Sequence, residues 1–220
     1  MHPTANLIPT KAFGFGALYL SDKTTKAPIP GGLSGHRYYS FGVNYGLSSG
    51  MNLFIYHNRV IGRYHDEHIQ MTGLILKQRV SGNLALGLIL HSGNQDGRGA
   101  FVVFRLPLIE RRESKQEHEK RTQTPLNLHL GLMWTDWRGE WTGKELVPYG
   151  GISWSFGNSW MLTAEIEKRR ENFFEPAWAI SVQRRIGKGG QIIVGVNQSG
   201  ISDRPHIFLG FGTGGGGILK

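Results

Sequence analysis

Leu126-Asn127-Leu128-His129-Leu130-Gly131-Leu132-Met133-Trp134 carries a large apolar side chain at every second residue. A period of two fits a pleated strand, whose successive side chains point to opposite faces, and does not fit a helix, whose apolar stripe recurs every three or four residues. One face of this segment is leucine and tryptophan, and the other is mainly small or polar. The same reading holds for Tyr39, Phe41, Val43, Tyr45 and Leu47 against Tyr38, Ser40, Gly42, Asn44 and Gly46. It holds again for Leu84, Leu86, Leu88 and Leu90 against Ala85, Gly87, Ile89 and His91, for Trp178, Ile180 and Val182 against Ala179, Ser181 and Gln183, and for Ile192, Val194 and Val196 against Gln191, Gly195 and Asn197.

Extended along the chain, this pattern predicts twelve strands, near 13–21, 37–47, 51–60, 68–80, 83–91, 100–107, 125–135, 147–156, 160–170, 176–186, 191–198 and 205–212. Most have about the 9–11 residues that a tilted strand needs to cross a bilayer. Ser48-Ser49-Gly50, Ser81-Gly82, Gly157-Asn158-Ser159 and Gly187-Lys188-Gly189-Gly190 read as tight hairpin turns, rich in residues that accept positive φ. The alternate connections, Asp22 to His36, Ile61 to Glu67, Ser92 to Gly99 and Asp136 to Leu146, read as longer loops. Short turns at one end and long loops at the other are the asymmetry of an outer-membrane barrel. The connection from Leu108 to Thr124 is the exception, being long, charged and on the short-turn side. It reads as a solvated loop, with a short helix as the alternative.

Composition agrees with one domain spanning residues 1–220. The chain has 32 glycines, no cysteine and a formal net charge of +9. Glycine without a three-residue period excludes collagen, the aromatic content argues against disorder, and the lack of thiols excludes disulfides, thiolate zinc sites and cysteine nucleophiles. The stretch from Glu110 to Arg121 contains five basic and four acidic residues, so the positive excess is spread over the rest of the chain, and nucleic acid is not an expected partner. No apolar run approaches a membrane helix, and Met1-His2-Pro3-Thr4 does not open a signal peptide, so an exported protein would have this as its mature sequence. Residues 213–220 read as a Gly-rich tail.

Alternation does not say which face is wet. A soluble sheet would expose Lys, Glu and Thr, whereas here the second face is Gly, Ser, Asn, Ala and His, which suits a water-holding lumen. The leucine-rich face then meets lipid, and closure satisfies every backbone donor and acceptor. Trp154 and Trp160 flank one turn, and Trp134, Trp137 and Trp141 cluster at the opposite end. These positions predict two interfacial girdles.

Pro3-Thr4-Ala5-Asn6-Leu7-Ile8-Pro9-Thr10-Lys11-Ala12-Phe13-Gly14-Phe15-Gly16 resembles the opening P-T-A-x-x-L-P-x-G-x-[FL]-x-[LF]-G of bacterial outer-membrane barrels of the YjbH type, with Thr10-Lys11 where that pattern often has glycine. The resemblance covers about fifteen residues and implies an exopolysaccharide-associated barrel. Ile207, Leu209 and Phe211, alternating with Phe208, Gly210 and Gly212, resemble the terminal-strand signal read by the barrel-insertion machinery, an expected partner alongside outer-membrane lipid.

Catalytic and metal chemistry is sparse. His91 and Ser92 are adjacent on a strand, so they point to opposite faces and cannot share a proton. His65, Asp66 and His68 sit together in a loop and read as solvated residues rather than metal ligands. Gly212 to Gly217 lacks the helix and Lys-Ser/Thr of a phosphate loop. No catalytic residue, metal or cofactor is expected, and a barrel hydrolase is disfavoured because no nucleophile and base share a face. The expected lumen residues are Arg105, His129, Glu165, Glu167, Arg169, Gln183 and Arg185, joined by Lys77 and Arg79 if these also point inward. They give two readings: a narrow pore for small or anionic solutes, or an exopolysaccharide-associated barrel, on one hand, and on the other a closed barrel braced by internal ion pairs, whose 108–124 loop docks a periplasmic partner.

Overall fold

The computed structural model describes residues 13–21, 36–48, 50–62, 68–94, 96–109, 125–138, 143–156, 159–169, 176–187, 190–198 and 205–214. They form twelve strands: β1 (Phe13–Ser21), β2 (His36–Ser48), β3 (Met51–Gly62), β4 (His68–Arg79), β5 (Leu84–Gly93), β6 (Asp96–Ile109), β7 (Leu126–Arg138), β8 (Gly143–Phe156), β9 (Trp160–Glu167), β10 (Trp178–Ile186), β11 (Gly190–Gln198) and β12 (His206–Gly214). Each strand pairs antiparallel with its neighbours in sequence, and β1 pairs with β12, so the sheet closes into a barrel. No helix occurs among the described residues.

The apolar set of each strand points outward. Leu88 is 57 % exposed and Ile207 73 %, although both belong to the most regular alternating segments. A belt of exposed leucine, isoleucine, valine and phenylalanine around a closed sheet requires an apolar solvent, and a bilayer supplies it. Trp134, Trp154 and Trp160 stand on this outer surface as expected. At the turn end, the guanidinium of Arg184 lies 5.1 Å from the centre of the Trp160 ring, a cation–π contact suited to an interface. Trp137 departs from the expected girdle: its ring points inward over Gly97 and packs 4.6 Å from the His91 ring. Trp141 lies outside the described residues.

Two expected long loops are mostly strand. β5 continues to Gly93 and β6 begins at Asp96, while β7 reaches Arg138 and β8 begins at Gly143. Gly97 and Gly99 pair with Trp137 and Thr135, and outward-facing Arg98 forms a 3.0 Å ion pair with Asp136. Turn-type residues here extend the wall beyond the apolar belt. The strand β6 also passes through Pro107, with a register shift between Pro107 and Ile109, the kind of irregularity that accommodates a residue without an N–H. Conversely, β9 stops at Glu167, short of the expected residue 170. The strand β12 runs to Gly214, so Thr213 and Gly214 belong to the wall rather than to the expected tail, and residues 215–220 lie outside the described set. The charged connection also lies outside it, from residue 110 to 124.

The interior differs from the expected wet, small-residue lumen. Ala85, Ile89, Phe101, Val103, Met133 and Tyr149 form a buried apolar cluster on β5–β8, with Ile75 of β4 packed against it. These residues occupy the inward positions between the outward leucines. They fill one side of the barrel.

Candidate channel lumen

Register determines what faces inward. Arg105 pairs with His129, His129 with Gly151, and Gly151 with Glu165. The row continues through Ala179 and Asn197 to His206. Glu167 pairs with Tyr149, Gln183 with Met161 and Ile193, and Arg185 with Gln191. Arg105, His129, Glu165, Glu167, Gln183 and Arg185 therefore share the inner face. Arg169 does not join them in the wall, since it lies two residues beyond the end of β9 and is exposed. Lys77 and Arg79 do point inward, on the same face as their partners Gly87 and Ala85.

The charges are separated along the barrel axis. Lys77 and Arg79 close β4 at the turn end, Arg185 is the last residue but one of β10, and Arg105 donates from Nη2 to the Gly82 carbonyl of a turn at 3.2 Å. Glu145 lies near the start of β8 and Glu165 and Glu167 near the end of β9, toward the opposite rim. One end of the inner wall is cationic and the other carries carboxylates.

Side-chain volume is distributed just as unevenly around the circumference. Gly212, Gly16 and Gly42 are directly paired on β12, β1 and β2, so three adjacent strands present bare backbone to the interior. Against this wall lies a cavity of about 360 Å³, bordered also by Ser40, Phe54, Tyr56, Asn58 and Gln191. The open space is therefore off-axis, opposite the apolar cluster.

Aromatic rings lie against the inner wall in a repeated way. Tyr56, Phe101, Trp137, Tyr149 and Phe208 each cover the inward glycine of the directly paired position, at Gly73, Gly87, Gly97, Gly131 and Gly195. Such a pair exchanges a missing side chain on one strand for a flat ring from the next. Several inner hydrogen bonds hold the layer: Tyr56 Oη to His91 Nδ1 at 3.0 Å, Thr163 Oγ1 to Ser181 Oγ at 2.7 Å, and His129 Nε2 to Ser153 Oγ at 3.0 Å.

The last of these corrects the expectation that no nucleophile and base share a face. His129 and Ser153 both point inward from paired neighbouring strands and are buried. Their separation of 24 residues left no local signal. By contrast, His91 faces inward and Ser92 outward, as alternation requires. Of the other loop candidates, His65 and Asp66 lie outside the described residues. Among the described residues, no group of three His, Asp or Glu side chains could hold a metal ion.

No protein-family model and no curated protein matches the chain. Solved structures do. The KdgM porin covers 92 % of this chain and 98 % of its own at 10 % identity with a TM-score of 0.61. The KdgM porin in complex with disordered oligogalacturonate gives 11 % identity over the same shares with a TM-score of 0.62. The COG4313 outer membrane channel from Pseudomonas putida F1 gives 10 % identity over 97 % of this chain and 99 % of that one, with a TM-score of 0.53. The chain thus has the closed twelve-stranded fold of bacterial outer-membrane barrels.

Proposed function

We propose that this barrel is a narrow outer-membrane channel that passes small anionic solutes along its glycine wall. The observation that carries the reading is the off-axis cavity beside Gly16, Gly42 and Gly212, with Lys77 and Arg79 of β4 and Arg185 of β10 inward at the turn end. Fixed cations bordering a narrow aqueous path raise the local concentration of anions and lower their entry barrier. The relation to KdgM, a porin solved with oligogalacturonate, supports an anionic cargo. The resemblance of residues 3–16 to YjbH-type barrels supports a finer form of the same reading, in which the cargo belongs to polysaccharide export.

Conductance in planar bilayers tests the path. A Cβ on Gly16 would meet nothing closer than the Phe211 carbonyl at 3.5 Å, so Gly16→Trp projects its ring into open space. It should strongly reduce conductance, whereas Val194→Trp, on the lipid face, should not. Equal conductance in both variants would refute the path. A wild-type barrel that refolds and conducts nothing would favour the closed, partner-docking alternative.

A further inference from the structure

We propose that the cavity against the glycine wall is a binding site for a pyranose ring, recognising its hydroxyls and its apolar face rather than a charge. This rests on the channel reading for how the saccharide arrives. No charged side chain borders the cavity among the described residues. What borders it is the pair Phe54 and Tyr56, with ring centroids 5.4 Å apart and planes 23° apart, together with Ser40, Asn58 and Gln191.

The two rings are held flat by different means. Phe54 lies over Gly42, where a Cβ would come within 2.6 Å of its ring, and Tyr56 lies over Gly73 while its hydroxyl is tied to His91. One face of each ring covers the wall, leaving the other toward the lumen. A pyranose has a matching face of C–H groups, and its rim of hydroxyls needs acceptors. Asn58 borders the cavity and its Oδ1 is buried with no hydrogen-bond partner among the described residues, so a rotation of the amide toward the cavity would present it to a ligand. Buried acceptors without partners are rare because desolvation costs them free energy, and hydroxyl donors would remove that cost. The volume of about 360 Å³ suits one small ring, and a mainly apolar wall with a few convergent polar groups is the usual composition of a small-molecule site. A carboxylate or phosphate would find amides here, with the cations displaced toward the turn end.

The test adds maltotriose, a neutral saccharide, and trigalacturonate, an acidic one, to single channels in potassium chloride. Both should interrupt the current in a concentration-dependent manner. Asn58→Leu and Phe54→Leu should each weaken the block by maltotriose about tenfold, the loss expected for one buried polar contact or one stacking face, with block read as a fraction of each variant's own sugar-free current. Tyr56→Phe, which keeps the ring, should retain most of the block. Block by trigalacturonate alone, insensitive to Asn58→Leu, would overturn the site while leaving the anion path standing. Calorimetric binding of maltotriose to a detergent-solubilised barrel that does not conduct would uphold the site and reject the channel. Absence of both block and binding in a conducting barrel would reject the site alone.

Discussion

The ring of Tyr149 lies across Gly131, its directly paired partner on the neighbouring strand, so closely that a Cβ on the glycine would overlap the ring. The pair sits in the apolar cluster, where Tyr149 is 7 % exposed. Gly131→Val should therefore lift the ring into the cluster and cost about 1–3 kcal/mol, as overpacking does. Urea unfolding from lipid vesicles measures this. Unchanged stability would show that the ring has another place to go.

On the outer face, Leu130 is 48 % exposed between Phe104 and Gly150. Leu130→Arg at mid-strand should cost roughly 2–4 kcal/mol if the residue meets the bilayer midplane. The same titration reads the effect. Full tolerance of arginine there would place Leu130 in water.

The axial separation of lumenal charge predicts a rectifying current. Cations near one mouth and carboxylates near the other make ion entry unequal from the two sides. Lys77→Gln with Arg185→Gln should reduce anion preference and flatten the current–voltage curve, and Glu165→Gln should increase anion preference. Reversal potentials under a salt gradient decide the matter. Loss of stability without any shift in selectivity, in either variant, would instead mark these groups as an internal brace whose removal leaves a partner uncompensated.

The 3.0 Å contact between His129 and Ser153 has the separation of a base and a nucleophile. Its surroundings argue against that use. His129 Nδ1 is buried with no partner among the described residues, so no carboxylate orients the ring, and the cation of Arg105 stands at the paired position. Ser153→Ala should cost about 1 kcal/mol, the worth of one hydrogen bond, and leave conductance unaltered. Hydrolysis of a soluble nitrophenyl ester by the wild type, lost in Ser153→Ala, would establish catalysis.

The sequence exposes the strands wherever a large apolar residue alternates with a small one, as in Leu84 to Leu90 and Leu126 to Trp134. It misleads where the wall leaves the apolar belt. From Ser92 to Gly99 the residues are those of turns, yet Gly97 serves as the floor for Trp137 and Arg98 pairs with Asp136 across the strands. The inward charges on β6, β7, β9 and β10 follow from alternation alone. The cavity does not, because Phe54 and Tyr56 stand on the non-leucine face, and only the folded sheet puts a glycine beneath each, directly paired Gly73 under Tyr56 and diagonal Gly42 under Phe54. His129 and Ser153 are likewise joined by pairing between β7 and β8, which no spacing within either strand encodes.

The seam where β1 meets β12 joins the two ends of the described chain, with Gly14 opposite Gly214, Gly16 opposite Gly212 and Leu18 opposite Gly210. On the inner face, glycine stands on at least one strand at three of the four pairings, and Leu20 opposite Phe208 is the exception. Outside, Phe15 and Phe211 meet edge to face with centroids 6.2 Å apart. The two strands with the greatest sequence separation must find each other after the intervening hairpins have formed, because the loop they close is the longest. A seam held by backbone hydrogen bonds, a lipid-facing aromatic clasp and one bulky inner pairing can stay unzipped while the sheet curls and then shut with little interior to repack. The same bare glycines that border the cavity thus make this junction the natural last step of membrane assembly.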